Sequence, residues 1–192
     1  SLIRITDDGI GMSKDDALMC LERHATSKIQ KAEDLAAIRT MGFRGEAMPS
    51  IASVSRFALT TREREGGSVD GSQVIVHGGK ILEVKAAGCA PGTSVEVRQL
   101  FYNLPARRKF LRSEDTERVH IQHYVTLAAL ARPDVAFTLV HNGRLLWQVP
   151  AATGESKLKA LGERLRALYG GEIELLEVDF TGTLDAAYEV ME

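Results

Sequence analysis

The sequence predicts an α+β fold in which an antiparallel sheet is covered by helices. Three observations carry this expectation. Runs of strand length rich in β-branched residues recur at residues 56–61, 72–77, 81–87 and 93–100. Gly66-Gly67, Gly78-Gly79 and Pro91-Gly92 separate them as turns, so they read as an antiparallel meander. Amphipathic helical patterns stand before and after this block.

Taken in order, Leu2, Ile3 and Ile5 make a short strand that runs into the polar turn Thr6-Asp7-Asp8-Gly9. Ser13 is placed to cap a first helix, with Asp16 three residues on and Met12 and Ala17 able to staple its start. Ala17, Leu18 and Leu21 give it an apolar face, and it should end near Arg23-His24. Residues 25–41 are polar and weakly periodic, with a short helix expected at 33–39; a segment of this kind suits a lid or binding loop. Gly42-Phe43-Arg44-Gly45 then opens a second helix carrying Ala47, Ile51 and Val54. After the meander, Val119, Ile121, Val125, Ala128 and Leu130 define one long helix over residues 114–132, stopped by Pro133 and expected to pack on the sheet. Residues 135–140 and 145–149 form a hairpin through His141-Asn142-Gly143-Arg144, because Asn-Gly favours a type I′ turn. Beyond Pro150 a small, polar stretch reads as a linker. A helix at 157–169 and strands at 172–180 and 184–191 follow, too little for a core of their own. The expected domains are therefore residues 1–150 and the incomplete start of a second domain in 151–192.

The chain has 192 residues, 44% hydrophobic and 26% charged, with no apolar run near the ~20 residues that cross a bilayer. Neither a membrane partner nor a secretory signal is indicated. Cys20 and Cys89 lack CxxC spacing, which argues against a zinc site or disulfide framework and fits two reduced thiols in a cytoplasmic setting. The net charge of −2 means that contact with a polynucleotide would need a local basic patch.

Three glycine-containing motifs can carry chemistry, and each also has a plain structural reading. In Asp7-Asp8-Gly9-Ile10-Gly11-Met12, a carboxylate at a strand end can accept from an amino group such as adenine's, while Gly9 and Gly11 let a flat ligand approach the backbone. The same residues also suit an ordinary strand-to-helix turn with acids near a helix N-terminus. Gly42, Phe43, Arg44, Gly45, Glu46 and Ala47 lead into a helix whose free N–H groups suit phosphate, without the Gly-Lys-Ser/Thr of a Walker A loop. A simple helix entry would read the same, and Glu46 fits dipole compensation better than catalysis. Arg23-His24-Ala25-Thr26-Ser27-Lys28 places two hydroxyls and an ammonium where a phosphate lid would use them, although a solvated lysine and a structural histidine fit equally.

The order of these motifs, followed by Gly92-Thr93 at a strand start and by Leu100-Phe101-Tyr102-Asn103-Leu104-Pro105-Ala106-Arg107-Arg108-Lys109-Phe110-Leu111, resembles the GHKL ATPase superfamily and, within it, the MutL family of DNA mismatch-repair proteins. The resemblance covers residues 1–150. It implies a two-layer α/β sandwich, a mixed and mostly antiparallel sheet with helices on one face, followed by the beginning of a ribosomal S5-like domain. It further implies ATP as ligand, with Asp7 receiving the adenine amino group, Gly9 and Gly11 beside the base, and Thr93 bonding to adenine directly or through water. Thr26, Ser27 and Lys28 would lie in the lid, and Gly42 to Ala47 around the phosphates. The implied protein is an ATP-switched, dimerising coupler, homodimeric or heterodimeric. Its expected partners are DNA without sequence preference, a MutS-type mismatch-recognition protein and a downstream nuclease or helicase. Its setting would be the cytoplasm and nucleoid of a bacterium, or a eukaryotic nucleus.

Two departures matter. The family's general-base glutamate and magnesium-holding asparagine lie on a helix before the strand with which this sequence starts, and its γ-phosphate lysine lies beyond Glu192. No catalytic residue or Mg2+ ligand is therefore expected within these 192 residues, and the chain alone should hydrolyse ATP at background rate. Arg107, Arg108 and Lys109 invite DNA contact; the plainer alternative is a short surface helix with Phe101, Phe110 and Leu111 buried and the charges solvated. A gyrase-type topoisomerase subunit and a nucleotide-free scaffold remain the competing readings.

Overall fold

The computed structural model describes residues 1–22, 45–65, 69–176 and 178. The chain divides into two compact units, Ser1–Leu111 and Arg112–Glu192.

In the first unit β1 (Leu2–Asp7), β2 (Arg56–Arg62), β3 (Gly71–His77), β4 (Lys80–Ala87) and β5 (Gly92–Arg98) build one sheet. Its order is β1-β5-β2-β3-β4, and all four neighbouring pairs are antiparallel. The meander thus holds for β2, β3 and β4, whereas β5 returns to lie between β2 and β1. Burial explains the return. Beside β2, Val97 and Val95 are set against Phe57 and Leu59, two of the most buried side chains, at 1% and 0% exposure. Beside β4, whose residues are mostly exposed, the same valines would sit at a wet edge.

Helix α1 (Lys14–Met19) starts as expected, with the Ser13 hydroxyl accepting the Asp16 N–H at 3.1 Å. Met12 and Ala17 both join the core. The helix stops at Met19, short of Arg23-His24, where Cys20 N–H bonds Asp16 O at 2.8 Å. Helix α2 (Ala47–Ser53) packs with α1 on the inner face of the sheet, around Phe57, Leu59, Val74 and Val76. This helical layer covers the centre of the sheet but leaves Ile3 and Ile5 of β1 41% and 66% exposed. A one-turn helix, α3 (Pro105–Arg108), closes the unit.

In the second unit the long helix α4 (Glu114–Ala131) is capped by Ser113, and Arg132 ends it before Pro133. Strands β6 (Phe137–His141) and β7 (Arg144–Val149) form the hairpin, with Asn142 and Gly143 at φ 48° and 76° as a type I′ turn requires. Helix α5 (Lys157–Tyr169) keeps the expected bounds, yet it packs against α4 and β7, and α4 itself meets α5 and β6. Arg164 fixes this corner. It is 1% exposed, and its Nη2 donates to Pro133 O at 2.7 Å and Val135 O at 2.5 Å. Residues 172–176 form no strand, and the strand expected at 184–191 lies outside the described residues.

Candidate functional site

The ends of β1, β2 and β5 converge on one hydroxyl. Asp7 and Thr93 are register partners across β1 and β5, and Thr61 of β2 is the partner of Thr93 on the other side. Thr61 is fully buried and its Oγ1 accepts the Met12 N–H at 3.0 Å. The same oxygen donates its one proton to Gly92 O at 3.1 Å, so at 3.0 Å the Thr93 hydroxyl is the donor to it. Thr61 was not singled out in the sequence. The signal available was a polar residue at an inward position of an alternating strand, which must find partners once buried.

Asp7 is exposed, and its Oδ1 accepts the Gly9 N–H at 2.9 Å, so the carboxylate is held by its own turn while Oδ2 remains for another donor. The glycines have different reasons. A Cβ on Gly11, at φ 70°, would lie 1.8 Å from Arg62 O, so this glycine is required by backbone meeting backbone inside the fold. A Cβ on Gly92, at φ 119°, would lie 2.2 Å from Asp7 O. A Cβ on Gly9 would meet only the Asp7 carboxylate, at 2.8 Å for Oδ1. Arg64 ties the turn from the far side through Asp8 O, and its N–H bonds Ile10 O at 2.8 Å.

Of the predicted phosphate side, Gly45, Glu46 and Ala47 are described. Gly45 has φ 66°, Glu46 occupies the N-cap without a side-chain cap bond, and Ala47 begins α2. Thr26, Ser27, Lys28, Gly42, Phe43 and Arg44 lie outside the described residues, as does the helix expected at 33–39. Arg107, Arg108 and Lys109 are exposed on and just after α3. The burial expected of their neighbours fails at two positions. Phe110 is 85% and Leu111 41% exposed, because α3 ends after one turn; Phe101 is half-buried, its N–H bonding Val54 O at 2.7 Å.

A cavity of about 410 Å³ lies on the helix side of the sheet, lined by Leu18, Leu21, Pro49, Ala52, Val76 and Ile81 among others, and none of its lining residues belongs to the predicted site. Among the described residues no three His, Cys, Asp or Glu side chains converge closely enough to hold a metal ion. No described helix is long and apolar enough to cross a membrane. Burial, with help from the Asp16 charge, pushes the Cys20 thiol up to about 11.

No family model matches the chain. Curated relatives do: it is 57% identical over 160 residues to the DNA mismatch repair protein MutL of Geobacter sulfurreducens, a match covering 83% of this chain and 26% of that protein. It is 50% identical over 183 residues to the MutL of Syntrophotalea carbinolica, covering 94% and 28%. The chain thus spans about a quarter of the length of these relatives. Among solved structures, the Aquifex aeolicus MutL ATPase domain complexed with ADP superposes with TM-score 0.62 at 34% identity, covering 86% of this chain and 57% of that one. The ATPase domain of the mismatch repair endonuclease MutL from the same organism gives 0.58 at 35%, covering 80% and 50%. An antiparallel sheet with helices on one face is here the fold of a MutL ATPase domain. Over the stretch it spans, the chain belongs to the MutL family of DNA mismatch-repair proteins and corresponds to their ATPase region.

Proposed function

We propose that this chain supplies the adenine side of an ATP site in a MutL-type ATPase that couples mismatch recognition to strand removal. The observation that carries the reading is the set at the strand ends: an exposed carboxylate, Asp7, in register with a hydroxyl, Thr93, that a buried Thr61 holds in place. Asp7 Oδ2 accepts from the adenine amino group, and Thr93 bonds the ring directly or through water. Gly9 lets the base lie close, while Gly11 and Gly92 keep the turn shut behind it. Thr26, Ser27 and Lys28, with Gly42, Phe43, Arg44, Gly45, Glu46 and Ala47, supply the phosphate side on the strength of their sequence.

The whole protein is an ATPase that uses magnesium, dimerises through this region, and meets DNA, a MutS-type protein and a later nuclease or helicase in a bacterial cytoplasm. The 192-residue chain by itself holds nucleotide weakly and hydrolyses it at background rate. Its named relatives include an ATPase domain with ADP bound, which supports the nucleotide assignment.

Equilibrium binding of a fluorescent, non-hydrolysable ATP analogue tests the reading, with Asp7→Asn as the informative variant. Asparagine has one carbonyl oxygen, which must serve either the Gly9 N–H or the adenine amino group. Losing a hydrogen bond to a charged acceptor costs about 1.5–3 kcal/mol, roughly 10- to 100-fold in affinity. Equal affinity in both proteins, or none in either, defeats the proposal and favours a scaffold.

A further inference from the structure

The end of the sheet away from Asp7 and Thr93 carries a row of cations on its outer face. Residues opposite one another in antiparallel strands share a face. Arg98 of β5 stands opposite Arg56 of β2, Arg56 opposite His77 of β3, and His77 opposite Lys80 of β4. Their chain neighbours Phe57, Val76 and Val97 belong to the core and its packed margin, which sets the four on the solvent side. Arg56, Lys80 and Arg98 are exposed and His77 is half-exposed. Three strand spacings make the row about 14 Å long. Its fifth member, on β1, is Leu2, so no acid interrupts it. Glu96, which binds both Arg4 and Arg98, sits one pair inward.

The loop after β5 extends the cationic surface. The Arg56 guanidinium lies 5.5 Å from the centroid of the Tyr102 ring, and Tyr102 and Asn103 stand against Gly78 in the turn between His77 and Lys80. From Gln99 to Leu111 the chain has no Asp or Glu, and it contributes Arg107, Arg108 and Lys109. A chain of net charge −2 has therefore gathered cations at one end.

We propose that this row docks on the phosphate backbone of duplex DNA, without reading sequence. The proposal rests on the DNA partnership put forward above and names a surface for it, separate from the nucleotide residues. Charge complementarity identifies the occupant: the Arg56 guanidinium and the Lys80 ammonium, with His77 between them, are set to meet phosphates, with no apolar anchor at the centre such as a protein interface needs, while Arg98 is already held by Glu96. Single strands bind through free aromatic faces, and the ring that stands beside the sheet row, Tyr102, already lies beneath Arg56.

Fluorescence anisotropy with a labelled duplex of about 30 base pairs and arbitrary sequence, over a range of salt, reads out the contacts because each lost phosphate contact lowers the log–log salt slope by about 0.9. In the 192-residue chain, Arg56→Gln with Lys80→Gln is expected to lower the slope by about 1.8 and to weaken binding at low salt at least tenfold. Lys85→Gln, on the same face but toward the opposite end, leaves both unchanged, and thermal unfolding confirms that each variant is folded. Wild-type slope and affinity in the double variant, with loss only on substituting Arg107, Arg108 and Lys109, overturn the sheet surface and keep the DNA partnership. Failure of the unsubstituted chain to bind duplex sinks both. Binding of labelled poly-glutamate in preference to duplex also overturns the proposal, in favour of an acidic polypeptide.

Discussion

Replacing Thr61 by valine keeps the shape of the side chain and removes an oxygen on which three neighbours depend. The Met12 N–H loses its acceptor, Gly92 O a donor and Thr93 Oγ1 its partner, all at a position with no access to water. Leaving such groups unmet costs about 1–3 kcal/mol, so Thr61→Val should lower the urea midpoint by that equivalent and also weaken the ATP analogue. A variant with full stability and full affinity contradicts the role assigned to this hydroxyl. Cys20 offers a second check at the same scale. With its thiol pushed up to about 11, it is overwhelmingly protonated at neutral pH. The nucleophile toward iodoacetamide is the thiolate, so Cys20 should stay unlabelled in the folded chain and react once urea unfolds it, as peptide mapping would show.

Each element depends on local chemistry that can be removed singly. Ser113→Ala deletes the cap of α4, whose hydroxyl accepts the Thr116 N–H at 3.3 Å, and should cost about 1 kcal/mol in denaturant unfolding. Gly11→Ala asks for a Cβ 1.8 Å from a carbonyl oxygen at a positive φ, and should fail to give folded protein. Elements whose signal is local were legible in the sequence: the Ser13 start of α1, the Asn-Gly hairpin and the bounds of α4 and α5 all follow from caps, turns and periodicity. What the sequence did not reveal is non-local. Turn residues announce that a strand ends, but they do not say which strand the next one joins, so the return of β5 to β2 was invisible. The candidate site divides in the same way. Asp7 and Thr93 were found through motifs, while Thr61 has no motif and acquires its meaning only when β2 lies beside β5. Gly11 was read as room for a ligand, and the nearness of Arg62 O gives it a further reason that no motif shows.

For the molecule as a whole, acid should be destabilising through two carboxylates, one in each unit. Burial works against the charge of Glu96, but hydrogen bonds and charges from Arg4 and Arg98 outweigh it and hold the group below its ordinary value of 4.5. Asp134 is held below 3.8 chiefly by its hydrogen bonds from Arg132. A carboxylate lowered on folding stabilises the native state above its unfolded pKa, and that contribution disappears as pH falls through the folded one. Melting temperatures taken from pH 7 down to pH 3 should therefore fall below about pH 4.5, with a shallower fall for Glu96→Gln, and an equal fall in both proteins would remove Glu96 from the explanation.

The placement of β5 also has a consequence for biosynthesis. Thr6 and Ser94, whose hydroxyls meet at 3.0 Å, are 88 residues apart in the chain. At ribosomal rates of about 5–20 residues per second, the second half of the strand-end site follows the first by roughly 4 to 18 s. Through that interval the groups of β1 that pair with β5 wait for that partner. The end of the sheet that carries Asp7 and Thr93 thus closes only after β5 has been made, and a chain that binds nucleotide there has by that fact completed its β1–β5 pairing.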